Sequence, residues 1–273
     1  MTTVVARPHP FDVATTLTRS SSGSLFGNTT ADYANMVGPF GGITAATLLR
    51  AALRHPDRIG DPVSLTVNFA GTVADGPFEV IADPVRTNRN TQHWVLTSLQ
   101  NGVVTTTATA VFGTRRSSWA DTELVAPRVD DPDSIAPQQF PRGLAWVHNY
   151  EMRFVDGGID GLATGEPAGS ATTVWLRDVP PRPVDFAALT ALADTFFPRV
   201  LLRLGRIVPV GTVSMTVYFH ADADTLAGHG DQPVLGTARA KRFAHGFFDQ
   251  SAELWTPAGA LLATSHQMVY FKA

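Results

Sequence analysis

Two seven-residue stretches of the chain alternate in the same way. Val63-Ser64-Leu65-Thr66-Val67-Asn68-Phe69 puts an apolar residue at every second position, and Val213-Ser214-Met215-Thr216-Val217-Tyr218-Phe219 does so again. Period-2 alternation is the signature of a strand with one buried face. Five of the seven positions are identical, at an offset of 213 − 63 = 150 residues. Solenoid repeats recur every ~20–50 residues, so this spacing predicts a duplicated half instead.

The flanks of each copy extend the repeat. Upstream of the first, Phe40 to His55 is Ala/Leu-rich, opens on Gly41-Gly42 and stops before Pro56, which predicts a helix. Upstream of the second, Asp185 to Leu204 is again Ala/Leu-rich. Downstream, three more β-like runs follow each copy: roughly 77–86, 92–100 and 103–113, then 233–243, 246–255 and 260–271. Asn101-Gly102 and Pro257-Ala258-Gly259 separate the last two runs of each half, as hairpin turns do. Weaker strands are expected near 11–29 and 147–177. Each half therefore reads as one or more strands, a long central helix and four strands.

Composition narrows the class. With 44% hydrophobic and 16% charged residues over 273 positions, the chain has enough apolar material for a sizeable core. The net charge of −3 comes without a basic run, which argues against nucleic acid as a partner. No cysteine is present, which excludes disulfides, thiolate metal sites and cysteine nucleophiles. Met1 to Asp12 lacks a secretory signal pattern, and no apolar stretch reaches ~18 residues. A cytoplasmic location without a membrane span is the expectation. Residues 116–145, rich in charge and proline, read as a linker between halves at 1–115 and 146–273.

Three polar residues stand out against apolar surroundings. Asp194 is the only acid in the run Phe186 to Phe197, and Pro198 removes the helical donor for its carbonyl, so the helix should kink or end there. An acid at that place needs partners. It caps the helix, pairs with Arg199 or Arg203, or serves chemistry. Gln267 shares a period-2 face with Val269 and Phe271, so its amide either enters an apolar layer and needs partners or lies on a solvated face. Thr212 opens the repeated strand, where the first copy has Pro62 (212 − 150 = 62). A hydroxyl in one copy and a proline in the other suggests that one half alone keeps a polar site, although threonine is also simply a good strand former.

Other chemistries lack their motifs. The eight histidines show no His-x-x-x-His or His-Glu-x-x-His spacing, so no metal and no cofactor is expected. Gly-x-Ser-x-Gly, Walker and Gly-x-Gly-x-x-Gly patterns are missing.

A long helix followed by antiparallel strands, twice over, resembles the hotdog fold, and two hotdogs in one chain resemble the acyl-CoA thioesterase II (TesB-like) group. The likeness runs through Phe40-Gly41-Gly42, the Ala-rich helix, Val63–Phe69, and Val85 to Asn90 followed by Leu99-Gln100-Asn101-Gly102. The family usually has Gly-Arg-Ser where this chain has Asn88-Arg89-Asn90. Leu192-Ala193-Asp194, Thr212 with Phe219-His220, and Gln267 fall where the family keeps its catalytic Asp, Thr and Gln. The resemblance implies an α+β double hotdog acting as an acyl-CoA thioesterase in lipid metabolism, with an acyl-CoA as substrate. A homodimer or larger homo-oligomer is plausible because hotdog strand edges pair with other hotdogs.

Thioester hydrolysis needs an oriented water, a proton acceptor and a donor for the carbonyl oxygen. The expected mechanism has Asp194 as general base for a water also held by Thr212 and Gln267, with direct carboxylate attack as the runner-up. Gly41 and Gly42 open a helix, where free N–H groups and the dipole favour an oxyanion, and Gly42 N–H or its neighbour is the expected donor. The pair equally suits a tight turn and close packing. Arg86 and Arg89, with Arg115 and Arg116, are candidates to meet coenzyme A phosphates. Phe186, Phe196, Phe197, Trp94 and Met215 are candidates to line an acyl tunnel, against core packing. Two other readings stay open: a non-catalytic acyl-binding module, and a hydratase or dehydratase, which would need a histidine beside the acid.

Overall fold

The alternating runs pair into one antiparallel sheet in the computed structural model, which describes residues 7–21 and 24–273. Residues 1–6 of the N-terminal stretch, and residues 22–23 of the first weak-strand region, lie outside the described residues. The first half runs α1 (Pro10–Ala14), β1 (Thr18–Arg19), β2 (Leu25–Asn28), α2 (Gly41–Leu53), β3 (Asp61–Phe69), β4 (Pro77–Thr87), β5 (Thr91–Gln100) and β6 (Val103–Gly113). The second runs β7 (Tyr150–Asp156), α3 (Gly161–Thr164), β8 (Thr172–Asp178), α4 (Phe186–Leu192), α5 (Arg199–Leu204) and β9 (Val210–Phe219). It ends with α6 (Ala223–His229), β10 (Val234–Arg239), β11 (Phe243–Ala244), β12 (Phe247–Trp255) and β13 (Leu261–Phe271).

The strand order is β1-β2-β4-β5-β6-β3-β9-β13-β12-β10-β8-β7, with β11 hanging off β12. Read outward from the centre, the two halves match strand for strand. The repeated strands are themselves the junction: β3 and β9 pair antiparallel, with Ser64 opposite Tyr218, Thr66 opposite Thr216 and Asn68 opposite Ser214. Those pairs are symmetric under the 150-residue offset, so a local two-fold axis passes between Thr66 and Thr216. The inward residues Leu65, Val67, Met215 and Val217 are fully buried beneath the helices, which is why both copies keep them apolar.

Departures from the expected elements have local causes. Residues 10–14 form a helical turn instead of strand, because Pro10 occupies its start and the His9 ring accepts the Phe11 N–H at 3.1 Å. The Asp185–Leu204 run is two helices, with residues 193–198 between them. The 233–243 run ends early, at Arg239, before the short β11. The remaining long runs form strands within two residues of the expected limits.

Candidate functional site

The break in the second-half helix places the acid. Asp185 caps α4 by accepting the Ala188 N–H at 2.8 Å. Seven residues later the helix unwinds, since Pro198 offers no N–H to the carbonyl four positions back, which belongs to Asp194. The first-half helix α2 has no such interruption over its 13 residues. Asp194 thus stands at a helix end, the residue partly exposed while its carboxyl is enclosed between Gln267 and the start of α2.

Arg199 holds the break open. Its guanidinium is buried, donates to the Phe197 carbonyl (Nε at 2.7 Å, and again through Nη2), to Thr172 Oγ1 at 2.5 Å and to Gln250 Oε1 at 3.2 Å. Burial away from any carboxylate pushes its pKa down to about 9. The alternative that Asp194 is ion-paired to Arg199 or Arg203 is therefore corrected: Arg199 serves carbonyl and side-chain acceptors, and Arg203 donates to the Ala168 carbonyl at 2.8 Å. Asp194 forms no salt bridge among the described residues.

Gln267 reaches the acid from β13. It is 4% exposed, so its amide does enter the apolar layer, and the reading that left it on a solvated face is set aside. Its Nε2 donates to Asp194 Oδ1 at 2.8 Å, and its Oε1 accepts from Thr212 Oγ1 at 3.4 Å. A β-bulge makes the second contact possible. Between β13 and β9 the register slips at Met268/Val269, where Ser214 and Thr212 oppose consecutive residues and Val213 is left over. Strict alternation from Met215 would send Thr212 outward; the extra residue turns it back to the side of Gln267. The same slip occurs between Pro62 and Ser64 in the first copy.

The carboxyl lies against the start of α2. A Cβ built on Gly41 would fall 2.8 Å from Asp194 Oδ2 and 3.4 Å from Phe69 Cζ. No residue with a side chain fits there without displacing the acid. The Gly42 backbone N–H favours the ionised form of the Asp194 carboxyl. Burial pushes the Asp194 carboxyl up to about 7, while the Gln267 amide and Gly42 N–H pull it back toward the ionised form.

Other candidates lie elsewhere. Arg86 and Arg89 are exposed in and beside the β4–β5 turn, where Arg86 Nε donates to Asn88 Oδ1 at 3.0 Å. That turn is level with Asp61, through Thr91 opposite Gly113 and Gly113 opposite Asp61, whereas Gly41, which fronts Asp194, lies beside Phe69. Eight strand residues, about 26 Å, separate the two ends. The two arginines stand apart from Asp194. Arg115 is tied to the carbonyls of Phe219 (2.7 Å) and Pro62 (3.2 Å), a strand-end clamp. His220, at the far end of β9 from Thr212, bonds Thr264 Oγ1 at 3.1 Å. Trp94, Phe186, Phe196, Phe197 and Met215 are packed in the core. Among the described residues no group of three or more acidic or histidine side chains stands close enough to hold a metal, and no helix is long and apolar enough to cross a membrane.

Arg199 and Gln250 are the contributors that sequence reasoning missed. Sequence alone offers Arg199 as an ion-pair partner, and the bulge that aims Thr212 leaves no mark in hydrophobic alternation.

The second half's site has no twin. At the offset of 150 that holds along β3 and β9, Thr212 corresponds to Pro62, and α2 carries no acid along its length. Thr109 faces Thr66 as His266 faces Thr216, so Gln267 corresponds to Ala110. Two helix-and-sheet units in one continuous sheet, with one acid–amide pair where their helices meet, define a double-hotdog protein with a single candidate site. Comparison with known families agrees. Residues 30–113 match the model of the acyl-CoA thioesterase N-terminal domain and residues 128–271 that of the C-terminal domain, and the chain belongs to this acyl-CoA thioesterase family.

Among solved structures, the chain is similar to a conserved hot dog fold protein of unknown function from Alicyclobacillus acidocaldarius. The identity is 50%, the TM-score 0.93, and 98% of this chain and 99% of that chain are covered. It is also similar to the tesB protein of Mycobacterium avium subspecies paratuberculosis (17% identity, TM-score 0.78, 96% and 98% covered). An acyl-CoA thioesterase II from Mycobacterium marinum shares the fold as well (18%, 0.77, 96% and 98%). A search of curated proteins found no match.

Proposed function

We propose that the protein hydrolyses an acyl-CoA thioester to the free acid and coenzyme A, with Asp194 as the base that activates water. The observation that carries this reading is the 2.8 Å bond from Gln267 Nε2 to Asp194 Oδ1 at the mouth of α2, which holds one carboxylate oxygen and frees the other. Thr212 donates to the Gln267 carbonyl oxygen and so fixes which end of the amide faces the acid. A water on the free oxygen loses a proton to Asp194 as its oxygen bonds to the thioester carbon. The carbonyl oxygen gains charge beside the first turn of α2, where amides lack intrahelical acceptors and the dipole is positive. The N–H groups of Gly41 and Gly42, which open α2, are the donors for that oxygen. Collapse breaks the C–S bond, and the proton on Asp194 passes to the departing sulfur. A pKa near 7 suits a group that must take up and return a proton at neutral pH.

The hydratase alternative needs a histidine beside the acid, and the Asp194 side chain is instead bonded by Gln267. The test is thiol release from acyl-CoAs of graded length by wild type and Asp194→Asn. Wild type should release coenzyme A, and the variant should be slower by about 10²–10⁴-fold with its fold retained. Equal rates from both proteins, or none from wild type on any substrate, would end the reading.

A further inference from the structure

The Asp194 carboxyl faces Gly41 across a gap that no covalent link sets. On the acid's side, Gln267 holds the carboxyl and Arg199 holds the unwound segment. The other side is held differently. Helix α2 begins without a capping side chain, because its N-cap residue is Phe40. A serine or aspartate there would bond the first N–H groups of the helix and cover the end that fronts the acid. Phe40 leaves that end uncovered, so packing has to locate it.

Trp146 supplies the packing. It opens a 3-10 turn, Trp146–Asn149, where the segment joining the two halves enters β7. Its indole lies parallel to the Phe40 ring, with 4° between the planes and 4.3 Å between centroids. Gly42 gives that ring its room, since a Cβ there would fall 2.5 Å from it. Tyr150 meets both rings edge-on at 6.1 Å. The same indole reaches the acid's segment. It lies 5.9 Å from Phe197, three residues after Asp194, and Phe140 lies 5.9 Å from that ring as well. One buried side chain thus touches both the residue before Gly41 and the segment that carries Asp194.

The Trp146 Nε1 has no hydrogen-bond partner among the described residues. Ring contacts alone hold the side chain, so the site uses its flat shape and not its polar atom. Resting on the thioesterase reading above, we infer that Trp146 is a positioning residue for the reaction, setting the distance between the start of α2 and Asp194. It acts through Phe40 and Phe197. The carbonyl oxygen is stabilised on one side of the gap and water is activated on the other. A slack gap therefore weakens the transition state more than substrate binding.

The experiment measures kcat and KM on acetyl-, hexanoyl- and palmitoyl-CoA for wild type, Trp146→Leu, Trp146→Phe, Phe40→Leu and the Trp146→Leu/Phe40→Leu double variant. On whichever substrate wild type turns over best, Trp146→Leu should lose about tenfold in kcat with KM within about twofold. Trp146→Phe, which keeps a flat ring and drops only the unpartnered nitrogen, should restore most of the rate. The double variant should be no slower than the slower single one, because the two rings form one contact. Amide exchange in Trp146→Leu should quicken at residues 40–44 and 193–198 and stay unchanged in the outer strands. If Trp146→Leu does not fold, Phe40→Leu removes the other half of the stack and should show the same loss of kcat. Unchanged kcat in a folded variant, a rise in KM alone, additive losses in the double variant or exchange quickened throughout the protein would each overturn the inference while leaving the thioesterase reading intact. No hydrolysis of any of the three substrates by wild type would remove both.

Discussion

The hydroxyls of Thr66 and Thr216, 150 residues apart in the chain, lie 3.0 Å from each other across the β3–β9 junction. They are the same position of the repeat met twice, on the local two-fold axis. Everything symmetric in the molecule follows from that pairing: the buried Leu65/Val67 and Met215/Val217 layer, the bulges at the first valine of each copy, and the mirrored strand order. The chemistry is what breaks the symmetry. Pro62 and Ala110 occupy the positions of Thr212 and Gln267, and α2 has no acid, so the first half lends a helix start and the second half lends the polar groups.

The pH dependence of turnover should report Asp194. As base it must be ionised, and its carboxyl is pushed up to about 7. The value of kcat/KM should therefore rise with pH on the acid side and level off above about 7. Loss of that limb in Asp194→Asn, alongside the loss of rate, would assign it. A limb that persists with residual activity would move the assignment to another group.

Stability should run the opposite way. A carboxyl whose folded pKa lies above its unfolded value binds more protons when folded, so its contribution falls as pH climbs between the two values. Asp194 and Asp178 both behave so, each displaced from 3.8 to about 7 chiefly by burial. Asp178 has both oxygens buried without partners. Between about pH 4 and pH 7 the protein should lose stability, by at most about 4 kcal/mol per group from a three-unit displacement. Thermal melts at pH 5 and pH 8 should show a smaller drop in Asp194→Asn and in Asp178→Asn than in wild type. The Asp178 variant should keep the wild-type pH profile of turnover, which separates the two acids.

Much of this was legible in the chain, and the illegible part has a physical pattern. Alternation located β3, β5, β6, β9, β12 and β13, because each has one buried and one exposed face and period 2 records little else. Pro198 announced the helix break, since a missing N–H is a property of the residue itself. The spacing of Asp194 and Gln267, 73 positions apart, carries no such local mark. Their pairing came from a family pattern, and the geometry supplies its cause in the β13–β9–α4 arrangement. Arg86 and Arg89 illustrate the limit. Charge and exposure can be read from sequence, but which end of a sheet a turn belongs to depends on the pairing partners.

Gly41→Ala separates the packing role of the glycine pair from the catalytic one. The added Cβ would lie 2.8 Å from Asp194 Oδ2, nearer than side chains tolerate, so the carboxylate must turn away. In the helix itself alanine is preferred to glycine by about 1 kcal/mol. The variant should melt at or above the wild-type temperature and lose about tenfold or more in kcat. Gly42→Ala should differ, because its Cβ would meet the Phe40 ring at 2.5 Å and the Ala191 carbonyl oxygen at 2.8 Å. That clash lies in the helix–helix packing and should lower the melting temperature. Unaltered kcat in a stable Gly41→Ala protein would mean that the acid's present orientation is not the reactive one.

Arg199 offers the sharpest test of how the acid is held. Its guanidinium ties the unwound segment, through the Phe197 carbonyl, to Thr172 on β8 and Gln250 on β12. Gln250 pairs in register with Gln267, the residue that bonds Asp194, so the clamp and the reacting group share one cross-strand pair. Lysine keeps the charge but has a single nitrogen and cannot bridge acceptors spread over three elements. Arg199→Lys should retain the fold at 25 °C with a lowered melting temperature. Its kcat should fall about tenfold while KM stays within about twofold, since misplacing a catalytic group weakens the transition state more than substrate binding. Arg199→Met, close in length and uncharged, removes the desolvated cation along with every hydrogen bond, so it separates charge from anchoring. If Arg199→Met restored stability and full kcat together, burial of the cation would be incidental and the segment would be held by packing alone. If both variants lose kcat in proportion to the mobility of residues 193–198, measured by amide exchange, the guanidinium is what keeps Asp194 at the helix start.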